Sequence, residues 1–404
     1  FTGHLNTMLP LAQELKRRDH RVTFIGIVGY EAKVLAAGLE FIGLGQKEFP
    51  PGVMTEYLYH LSQLSGIPAL RYVLTTILKK EANALLQDTP QLIKDAGIDA
   101  LLIDSTSTGG ATIADLLEMP WIKIHSVVVF YEENSIPPIF TNWKYNPAWW
   151  AKLRNKFEYR RSRSWSKPLK EVVSKYRGQW NLPLQPQPHT PNYQLAEISQ
   201  QPAELEFPRV NLPEWFHFTG PYHYSGTREP VPFPWDKLTG QPLIYASLGS
   251  LVNRFVDVFE KIAAVCEGLD AQLVISLGGS ATPESLPNLS GNPLVVKYAP
   301  QLELLPKVTL TITHAGLNTT LECLSNAVPM VAIPIAFDQP GVAARIAWTG
   351  AGAAIPLKRL TVPRLRTAIS QVLTQPSYKQ NALRLHKAIK RAGGVTRAAD
   401  IIER

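Results

Sequence analysis

The densest group of residues that could do chemistry lies between Tyr298 and Gln339. Within it, the apolar run Val308–Thr313 predicts a buried strand that ends at His314, and Gly316 follows in a tight turn before a predicted helix. The first turn of a helix carries unpaired N–H groups and a partial positive charge, which together bind phosphate well. A glycine lets the backbone approach such a group closely. The pattern therefore predicts a phosphate-binding turn at this strand end.

Side chains on the helix that follows add further groups. Asn318 and Thr319 would place donors at the same end as His314. Glu322 lies one turn further along the same face, because residues three or four positions apart are neighbours on a helix. A carboxylate does not suit phosphate, but it suits the two vicinal hydroxyls of a ribose.

Two neighbouring strand ends complete a predicted nucleotide-sugar site. Tyr298 ends one predicted strand and offers a flat face for a base, whereas Asp338 and Gln339 follow another strand with groups for sugar hydroxyls. Each residue also has a structural explanation on its own, as a helix cap, a surface carboxylate or a core aromatic. The signal is their convergence on one edge of a sheet, where parallel α/β folds bind ligands.

The elements that must position these residues form two α/β halves. Short apolar runs separated by helical stretches are typical of buried parallel strands, and they predict two Rossmann-like domains that face each other across a cleft. The predicted strands are His20–Ile27, Leu39–Leu44, Asp99–Ile103 and Pro120–His125 in the first half, and Leu243–Ser247, Ala271–Leu277, Leu294–Tyr298, Val308–Thr313 and Met330–Pro334 in the second.

Domain limits follow from shifts in composition. Residues 220–242 are rich in Pro, Gly and Tyr and are predicted to link a domain over 1–219 to a domain over 243–377. A basic helical tail over 378–404 is expected to return to the first domain. The first four residues resemble a loop before a helix at Met8–Arg18, so we expect a short strand upstream of them.

Cysteine content and the longest apolar stretch indicate the cellular compartment in which the chain works. Cys266 and Cys323 are the only cysteines among 404 residues, so a disulfide scaffold is excluded and a reducing, cytoplasmic setting is expected. The longest apolar stretch, Val328–Phe337, contains two prolines and is shorter than the roughly 20 residues that span a bilayer.

A basic, tryptophan-rich segment stands apart from the rest of the chain. Residues 141–180 contain eleven Lys or Arg against Glu158 and Glu171, together with five of the nine tryptophans. Three interpretations stay open for this segment. It is an amphipathic insert with its charges in water, a peripheral contact with an anionic membrane, or a nucleic-acid surface.

The motifs of the second half resemble those of glycosyltransferase family 1, the UDP-sugar enzymes with the GT-B fold. That family carries the signature W-x-P-Q, then H-x-G-x-N-S/T-x-x-E, then D/E-Q, and it is matched in order by Tyr298–Gln301, His314–Glu322 and Asp338-Gln339. The stretch from Thr313 onward is especially similar to bacterial zeaxanthin glucosyltransferases. Plant members have Trp at the position of Tyr298, and the smaller ring leaves the choice between uridine and thymidine open.

The resemblance implies a role for each matched residue of the donor site. Tyr298 would stack on uracil, Ala299 and Gln301 would hold the base or ribose, and Glu322 would hold the ribose hydroxyls. The diphosphate would be held at the Gly316 turn by His314, Asn318, Thr319 and Ser250, and the sugar by Asp338 and Gln339.

The resemblance also implies the catalytic residues. An acceptor hydroxyl must lose its proton as it attacks, and the family's general base, a histidine, matches His4. Its aspartate partner matches Asp104, which would orient and steady the imidazole. His125, at another strand end, is a candidate for the acceptor pocket. No Asp-x-Asp triplet and no zinc-type spacing occurs in the sequence, so we expect no metal and no other cofactor.

We therefore predict inverting, metal-independent transfer of a hexose, glucose by preference, from a UDP-sugar to a hydroxyl of a lipophilic carotenoid, terpenoid, sterol or flavonoid. Two alternatives come from other classes. A UDP-sugar 2-epimerase would need paired carboxylates near the sugar and would leave His4 without a use. An inactive nucleotide-sugar-binding protein would keep the donor site alone. No nucleic-acid partner is expected.

Overall fold

The computed structural model describes residues 2–184, 193–222, 231–251, 255–279, 281–286 and 289–404. Every paired strand among these residues runs parallel to its neighbours. Continuous apolar runs favour this arrangement because parallel strands are covered on both faces. The α/β class with parallel sheets is therefore confirmed.

The second half is built on one parallel sheet. Its strands are β7 (Leu243–Ser247), β8 (Gln272–Ser276), β9 (Leu294–Val296), β10 (Val308–Thr313), β11 (Met330–Ala332) and β12 (Gly352–Ala354). They lie in the order β12-β11-β10-β7-β8-β9. Its helices are α9 (Val256–Cys266), α10 (Gln301–Leu304), α11 (Leu317–Ser325), α12 (Gln339–Thr349) and α13 (Val362–Thr374).

The strand order of this sheet places a switch point between β7 and β10. From β7 the chain builds β8 and β9 on one side, and then returns to build β10, β11 and β12 on the other. Ser247 and Thr313 are register partners where the two strands end. Ligands of such sheets bind at the carboxyl ends of the strands, at this kind of switch point.

Apolar side chains cover both faces of the sheet. Ile312 packs with Phe259 of α9 and Ile369 of α13 on one face, and Tyr245 packs with Leu321 of α11 on the other. All five side chains are at most 2% exposed. The strand ends that carry polar residues are therefore held by a rigid core.

The first half contains two smaller parallel sheets. Its strands are β1 (Thr23–Ile27), β2 (Glu40–Leu44), β3 (Leu101–Asp104), β4 (Trp121–His125), β5 (Gln194–Ser199) and β6 (Phe216–Phe218). They form the sheets β1-β2 and β3-β4-β5-β6. Its helices are α1 (Thr2–Arg17), α2 (Glu31–Ala36), α3 (Val53–Ser62), α4 (Gly66–Tyr72), α5 (Leu78–Ala96), α6 (Gly110–Leu117), α7 (Trp149–Ser162) and α8 (Lys167–Gln179), with a π-helical turn over Val73–Ile77.

The predicted loop at the start of the chain is wrong. Helix α1 already begins at Thr2, so His4 lies in its first turn and not in a loop. Leu5, Leu9 and Ala12 are buried together at helical spacing, and they extend the amphipathic face ahead of the predicted start at Met8.

A cavity of about 520 Å³ separates the two sheets of the first half. Residues of β1 and β3 line it, together with Met8 of α1. A parallel strand between β1 and β3 would join the two sheets into one. The upstream strand expected from the sequence stays a prediction.

The chain ends in two helices that lie across both halves. They are α14 (Pro376–Ala392) and α15 (Gly394–Ile402), and Gly393 separates them with a φ of +92°. Helix α14 packs on α11, and α15 packs on α1, where Arg18 pairs with Asp400 at 2.7 Å and with Glu403 at 2.6 Å. The domain limits predicted from composition stay predictions, and residues 223–230 of the predicted linker lie outside the described residues.

A buried ion pair joins the two halves. Arg345 of α12 is fully buried, and its Nε donates to Glu206 Oε1 over 3.0 Å. Arg209 approaches the same carboxylate oxygen at 3.5 Å. Beside this pair, the amide of Gly341 donates to the carbonyl of Ile139 over 2.6 Å. The first turn of α12 is thereby fixed against the first half.

Candidate active site

A histidine–aspartate pair stands at the carboxyl edge of β3. His4 Nδ1 lies 3.0 Å from Oδ2 of Asp104, the last residue of that strand. The other carboxylate oxygen, Oδ1, accepts from the amide of Thr106 at 2.8 Å and from its hydroxyl at 2.6 Å. Asp104 is therefore held from both sides and presents one oxygen to the imidazole.

The surroundings of Asp104 keep it ionised. Burial by itself would raise the pKa of this carboxyl, but the charge of His4 and the hydrogen bonds from His4, Ser126 and Thr106 outweigh burial and hold the pKa far below its usual range. A carboxylate fixed in this way favours the imidazole tautomer with its proton on Nδ1. Nε2 then carries the lone pair that can accept a proton.

Ser126 is a third group at this imidazole. Its Oγ lies 2.7 Å from His4 Nδ1, and it directly follows the last residue of β4. Two strand ends, those of β3 and β4, therefore fix the ring position of His4. The sequence analysis did not identify Ser126, although its place after a predicted strand was the available signal.

The phosphate-binding turn predicted from the sequence lies at the switch point of the second sheet. His314 follows β10, Ala315 adopts a φ of +62°, and Gly316 caps the start of α11. A Cβ on Gly316, or on Gly249 of the loop after β7, would come within 2.5 Å of His314 Nε2. Only glycines leave room for this ring, so the two strand ends enclose the imidazole edge.

Burial holds His314 in its neutral form. Its pKa is lowered from 6.5 to about 4 because desolvation of this half-buried residue disfavours the charged ring, which a backbone hydrogen bond at Ser247 offsets in part. Nδ1 is buried without a hydrogen-bond partner among the described residues. A neutral imidazole can donate one hydrogen bond to an anionic ligand at neutral pH.

The residues predicted to bind the base and ribose also lie together. The Glu322 side chain is 2% exposed, and Gln301 Nε2 donates to its Oε2. Gln301 Oε1 in turn accepts from the hydroxyl of Tyr245 at 3.1 Å. Tyr298 is 47% exposed, and a Cβ on Gly279 would collide with its hydroxyl, so the hydroxyl end of the ring lies close to that backbone.

Asn318 lies between the two halves. Its Nδ2 donates to the carbonyl of Gly3 at 2.7 Å, one residue before His4. Its Oδ1 accepts from Gln200 Nε2 at 2.8 Å, and Gln200 also lies 3.0 Å from Thr7 Oγ1. Helix α11 is therefore tied by a direct hydrogen bond to Gly3, the residue before the candidate base. Gln200 was missed by sequence reasoning because the strand before it was not predicted.

Asp338 and Gln339 have different surroundings. Asp338 Oδ2 accepts from the amide of Val128 in the first half at 3.3 Å, and burial raises the pKa of this carboxyl. Gln339 Oε1 accepts from the amides of Ile335 and Ala336, both at 2.9 Å. Asp338 therefore faces the side of His4, whereas the Gln339 oxygen shapes the turn before α12.

His125 lies inside a buried polar cluster. Its imidazole is 2% exposed, and Nε2 lies 2.9 Å from Glu197 Oε2. Burial alone would raise the pKa of Glu197, but hydrogen bonds from His125, Lys123 and Tyr131, with the Lys123 charge, lower it to about 2. In this conformation His125 has no surface that an acceptor could touch, and its predicted role stays a prediction.

For the remaining predicted residues the structure gives their exposure and packing. Ser250 is exposed in the loop that encloses His314, Thr319 is half-buried on the first turn of α11, and Ala299 packs at the edge of the core. Both cysteines are buried and free. Within the part of the chain that the structure describes, none of the helices combines the length and the apolar content that a membrane crossing requires.

Known glycosyltransferases are similar to this protein in sequence or in fold over nearly its whole length. The zeaxanthin glucosyltransferase of Pantoea ananas is 30% identical over 405 residues, which cover 100% of this chain and 93% of that protein. The zeaxanthin glucosyltransferase of Pseudescherichia vulneris is 29% identical, with 99% of this chain and 95% of that protein covered. Among solved structures, the glycotransferase of kitacinnamycin matches with a TM-score of 0.77 and 23% identity, over 99% of this chain and 95% of that one.

The likeness in fold defines the class: two facing Rossmann-like domains with a cleft between them, the GT-B fold of glycosyltransferases. The family model described as UDP-glucoronosyl and UDP-glucosyl transferase matches residues 181–392. The chain belongs to this family and is a UDP-glycosyltransferase. The resemblance found in the sequence is therefore confirmed.

Proposed function

We propose that this enzyme transfers glucose from UDP-glucose to a hydroxyl of a lipophilic small molecule, with inversion at the anomeric carbon and without a metal ion. The observation that carries the proposal is the hydrogen bond from Asn318 to Gly3. It sets the His4–Asp104 pair directly against the first turn of α11, where the diphosphate would lie. The names of the two zeaxanthin glucosyltransferase relatives support a carotenoid-like alcohol as acceptor.

The reaction needs one proton acceptor and one stabilised leaving group. His4 Nε2 accepts the hydroxyl proton while the acceptor oxygen forms a bond to C1 of the sugar, and Asp104 stabilises the resulting imidazolium. The bond from C1 to the phosphate oxygen breaks, and the electron pair leaves with UDP. The helix start at Gly316 and the imidazole of His314 would stabilise that negative charge.

The stereochemistry follows from the number of displacements. A hydroxyl held on the side of His4 attacks C1 opposite to the departing UDP, so an α-linked donor gives a β-glycoside. Retention would require a protein nucleophile beside C1 and a second displacement. Metal independence is proposed because the helix start and the neutral His314 can take the role of a divalent ion, and because the sequence lacks an Asp-x-Asp triplet.

The two alternative functions make less use of the observed geometry. An epimerase acting on a UDP-sugar has no acceptor to deprotonate, so a base held by both Asp104 and Ser126 would have no substrate. An inactive binder would not need Asp104 to stay ionised. Peripheral contact with a membrane through residues 141–180, in a cytoplasmic setting, is part of the proposal because a lipophilic acceptor resides there.

A comparison of His4 and Asp104 variants tests the proposal. His4→Ala should lower turnover of UDP-glucose with zeaxanthin by roughly 10²–10⁴, the usual range for a lost acid–base catalyst, with UDP affinity nearly unchanged. Asp104→Asn should cost less, because it removes the orienting group and leaves the base. His20→Ala is the matched control, since His20 also pairs with a carboxylate but lies at the surface.

The product is identified by mass, and its anomeric configuration by the proton coupling constant at C1. An α-glycoside from the α-linked donor would contradict a single displacement. Full activity of His4→Ala would contradict the assignment of the base. Turnover that disappears with a chelator and returns with Mg²⁺ would contradict metal independence.

A further inference from the structure

Helix α7 exposes an unusual set of apolar side chains. Trp149 is 74% exposed, Trp150 48%, Leu153 56% and Phe157 69%. Their spacing places them on one side of the helix, because each residue advances about 100° around the axis. These four residues are called the apolar face of α7. Single exposed apolar residues are ordinary, but a contiguous aromatic surface of this kind marks an interaction site.

The opposite side of α7 is polar and firmly attached. Asn155 is fully buried, and its Nδ2 donates to the carbonyl of Asn134 at 3.0 Å. Glu158 is buried and pairs with Arg161, and the hydroxyl of Tyr159 donates to the carbonyl of Ile136 at 3.1 Å. The helix thus buries amide and carboxylate groups while it leaves tryptophans in water. These contacts fix the orientation of α7 about its axis. Its apolar side therefore faces solvent because its polar side packs on the protein.

Positive charge borders the apolar face. Lys152 and Lys156 are exposed on the adjoining side of the helix and Arg160 at the end of the apolar face, and none of the three has an ion-pair partner among the described residues. Arg161 and Arg163, by contrast, pair with Glu158 and Glu132. Uncompensated charges therefore border the apolar residues, and Lys144, Lys170 and Lys175 are further exposed cations of the segment without an ion pair among the described residues.

We propose that α7 docks on the surface of an anionic lipid bilayer, with its apolar face at the level of the headgroups and its three free cations against lipid phosphates. Tryptophan and phenylalanine favour this interfacial layer, and basic residues beside them are attracted to anionic lipids. The charge pattern selects a membrane over another protein, because apolar and cationic stripes run side by side along one helix. The proposal rests on the peripheral membrane contact of the proposed function and deepens it by naming the helix, the residues and the class of lipid, whereas the sugar transfer is tested separately.

The position of α7 connects this surface to the cleft. The loop before α7 begins at Ser126, which contacts His4, and passes through Ile139, which accepts a hydrogen bond from Gly341 at the start of α12. Tyr145 of the same loop packs on Trp348. A membrane in contact with α7 would lie beside the cleft between the two domains, where a lipophilic acceptor would enter.

Vesicle co-sedimentation tests the docking surface. Wild-type protein should sediment with vesicles of phosphatidylglycerol and phosphatidylcholine, bind pure phosphatidylcholine much more weakly, and dissociate as salt rises. Trp149→Ser with Phe157→Ser should weaken partitioning by at least about tenfold. Lys152→Gln with Lys156→Gln should weaken it by roughly 25-fold on anionic vesicles only, at about fivefold per charge.

Helix α14 offers a matched control. Leu383 is 42% exposed, and Lys387 and Lys390 are exposed on the same helix, so Leu383→Ser with Lys387→Gln and Lys390→Gln makes an equivalent change elsewhere. This control should sediment like wild type. UDP affinity should be the same for all variants, and it reports folding and the donor site separately from membrane binding.

Four outcomes would overturn the proposal. Wild-type protein could fail to sediment with anionic vesicles, or the α7 and α14 variants could bind equally. An α7 face that binds a short DNA duplex more tightly than vesicles would point to nucleic acid. A wild-type dimer that dissociates on Trp149→Ser, without vesicle binding, would identify the face as a contact between copies of the chain.

Discussion

The half-buried imidazole of His314 makes the stability of the protein depend on pH in a predictable way. Its pKa is lowered from 6.5 to about 4 because burial disfavours the charged ring. The difference corresponds to about 3 kcal/mol, at about 1.36 kcal/mol per pKa unit. This free energy is the cost of protonating the ring inside the folded protein rather than in the unfolded chain.

The sign follows from which state binds the proton. As the pH falls below 6.5, the unfolded chain takes up a proton on this imidazole, whereas the folded protein takes it up only near pH 4. The contribution of the neutral ring is therefore complete above pH 6.5 and is lost between pH 6.5 and 4. At about pH 4.5 the loss should reach about 2.5 kcal/mol.

Urea unfolding of wild type and His314→Asn measures this contribution. The variant will be less stable at about pH 7, because it disturbs the ring's packing against Gly249 and Gly316. On acidification to about pH 4.5, wild type should lose about 2.5 kcal/mol more than the variant does. His60→Asn, which removes an exposed imidazole, serves as the control. Curves for wild type and His314→Asn that fall in parallel would refute the reasoning.

Two further substitutions test the donor site and the contact between the domains. Glu322→Gln should weaken UDP binding by roughly tenfold in calorimetry while thermal stability stays near wild type. The amide keeps the shape of the side chain but loses the charge-assisted hydrogen bonds to ribose hydroxyls. An unchanged UDP affinity would place the ribose elsewhere. Arg345→Met should lower the free energy of unfolding by about 3–5 kcal/mol, since among the described residues it leaves Arg209 as the only cation beside the buried Glu206, together with hydrogen bonds from Gln201 and the amide of Phe207. Adding Glu206→Leu should restore part of that loss, and no recovery would mean that packing, not charge, dominates.

Local periodicity predicted the second domain well. The limits of β7 and β10 are those expected from the sequence, because each is an apolar run that is covered on both faces. Strand β5 was missed because Gln194 and the buried Glu197 interrupt its apolar pattern. Glu197 is tolerated there because the Lys123 cation pairs with it and His125 forms a hydrogen bond with it, and partners on another strand cannot be read from local sequence.

The residues of the candidate site also differ in how far the sequence could predict them. The turn at His314 could be predicted because strand, glycine and helix follow one another within a few residues. The contacts that Ser126 makes with His4 and Gln200 makes with Asn318 could not, because they span 122 and 118 residues of chain. Such contacts depend on how the domains pack, and periodicity within a segment carries no information about that packing.

The position of Asn318 adds a constraint that the sequence motif alone does not contain. Both ends of its amide are used by the first domain, through Gly3 at 2.7 Å and Gln200 at 2.8 Å. A contact between this side chain and a diphosphate would compete with those bonds. The geometry therefore favours separate roles for these groups. The backbone amides at the start of α11, together with His314, face the phosphates, and the Asn318 side chain does not. Asn318 then sets the distance from α11 to Gly3, and through it the position of His4 relative to the donor.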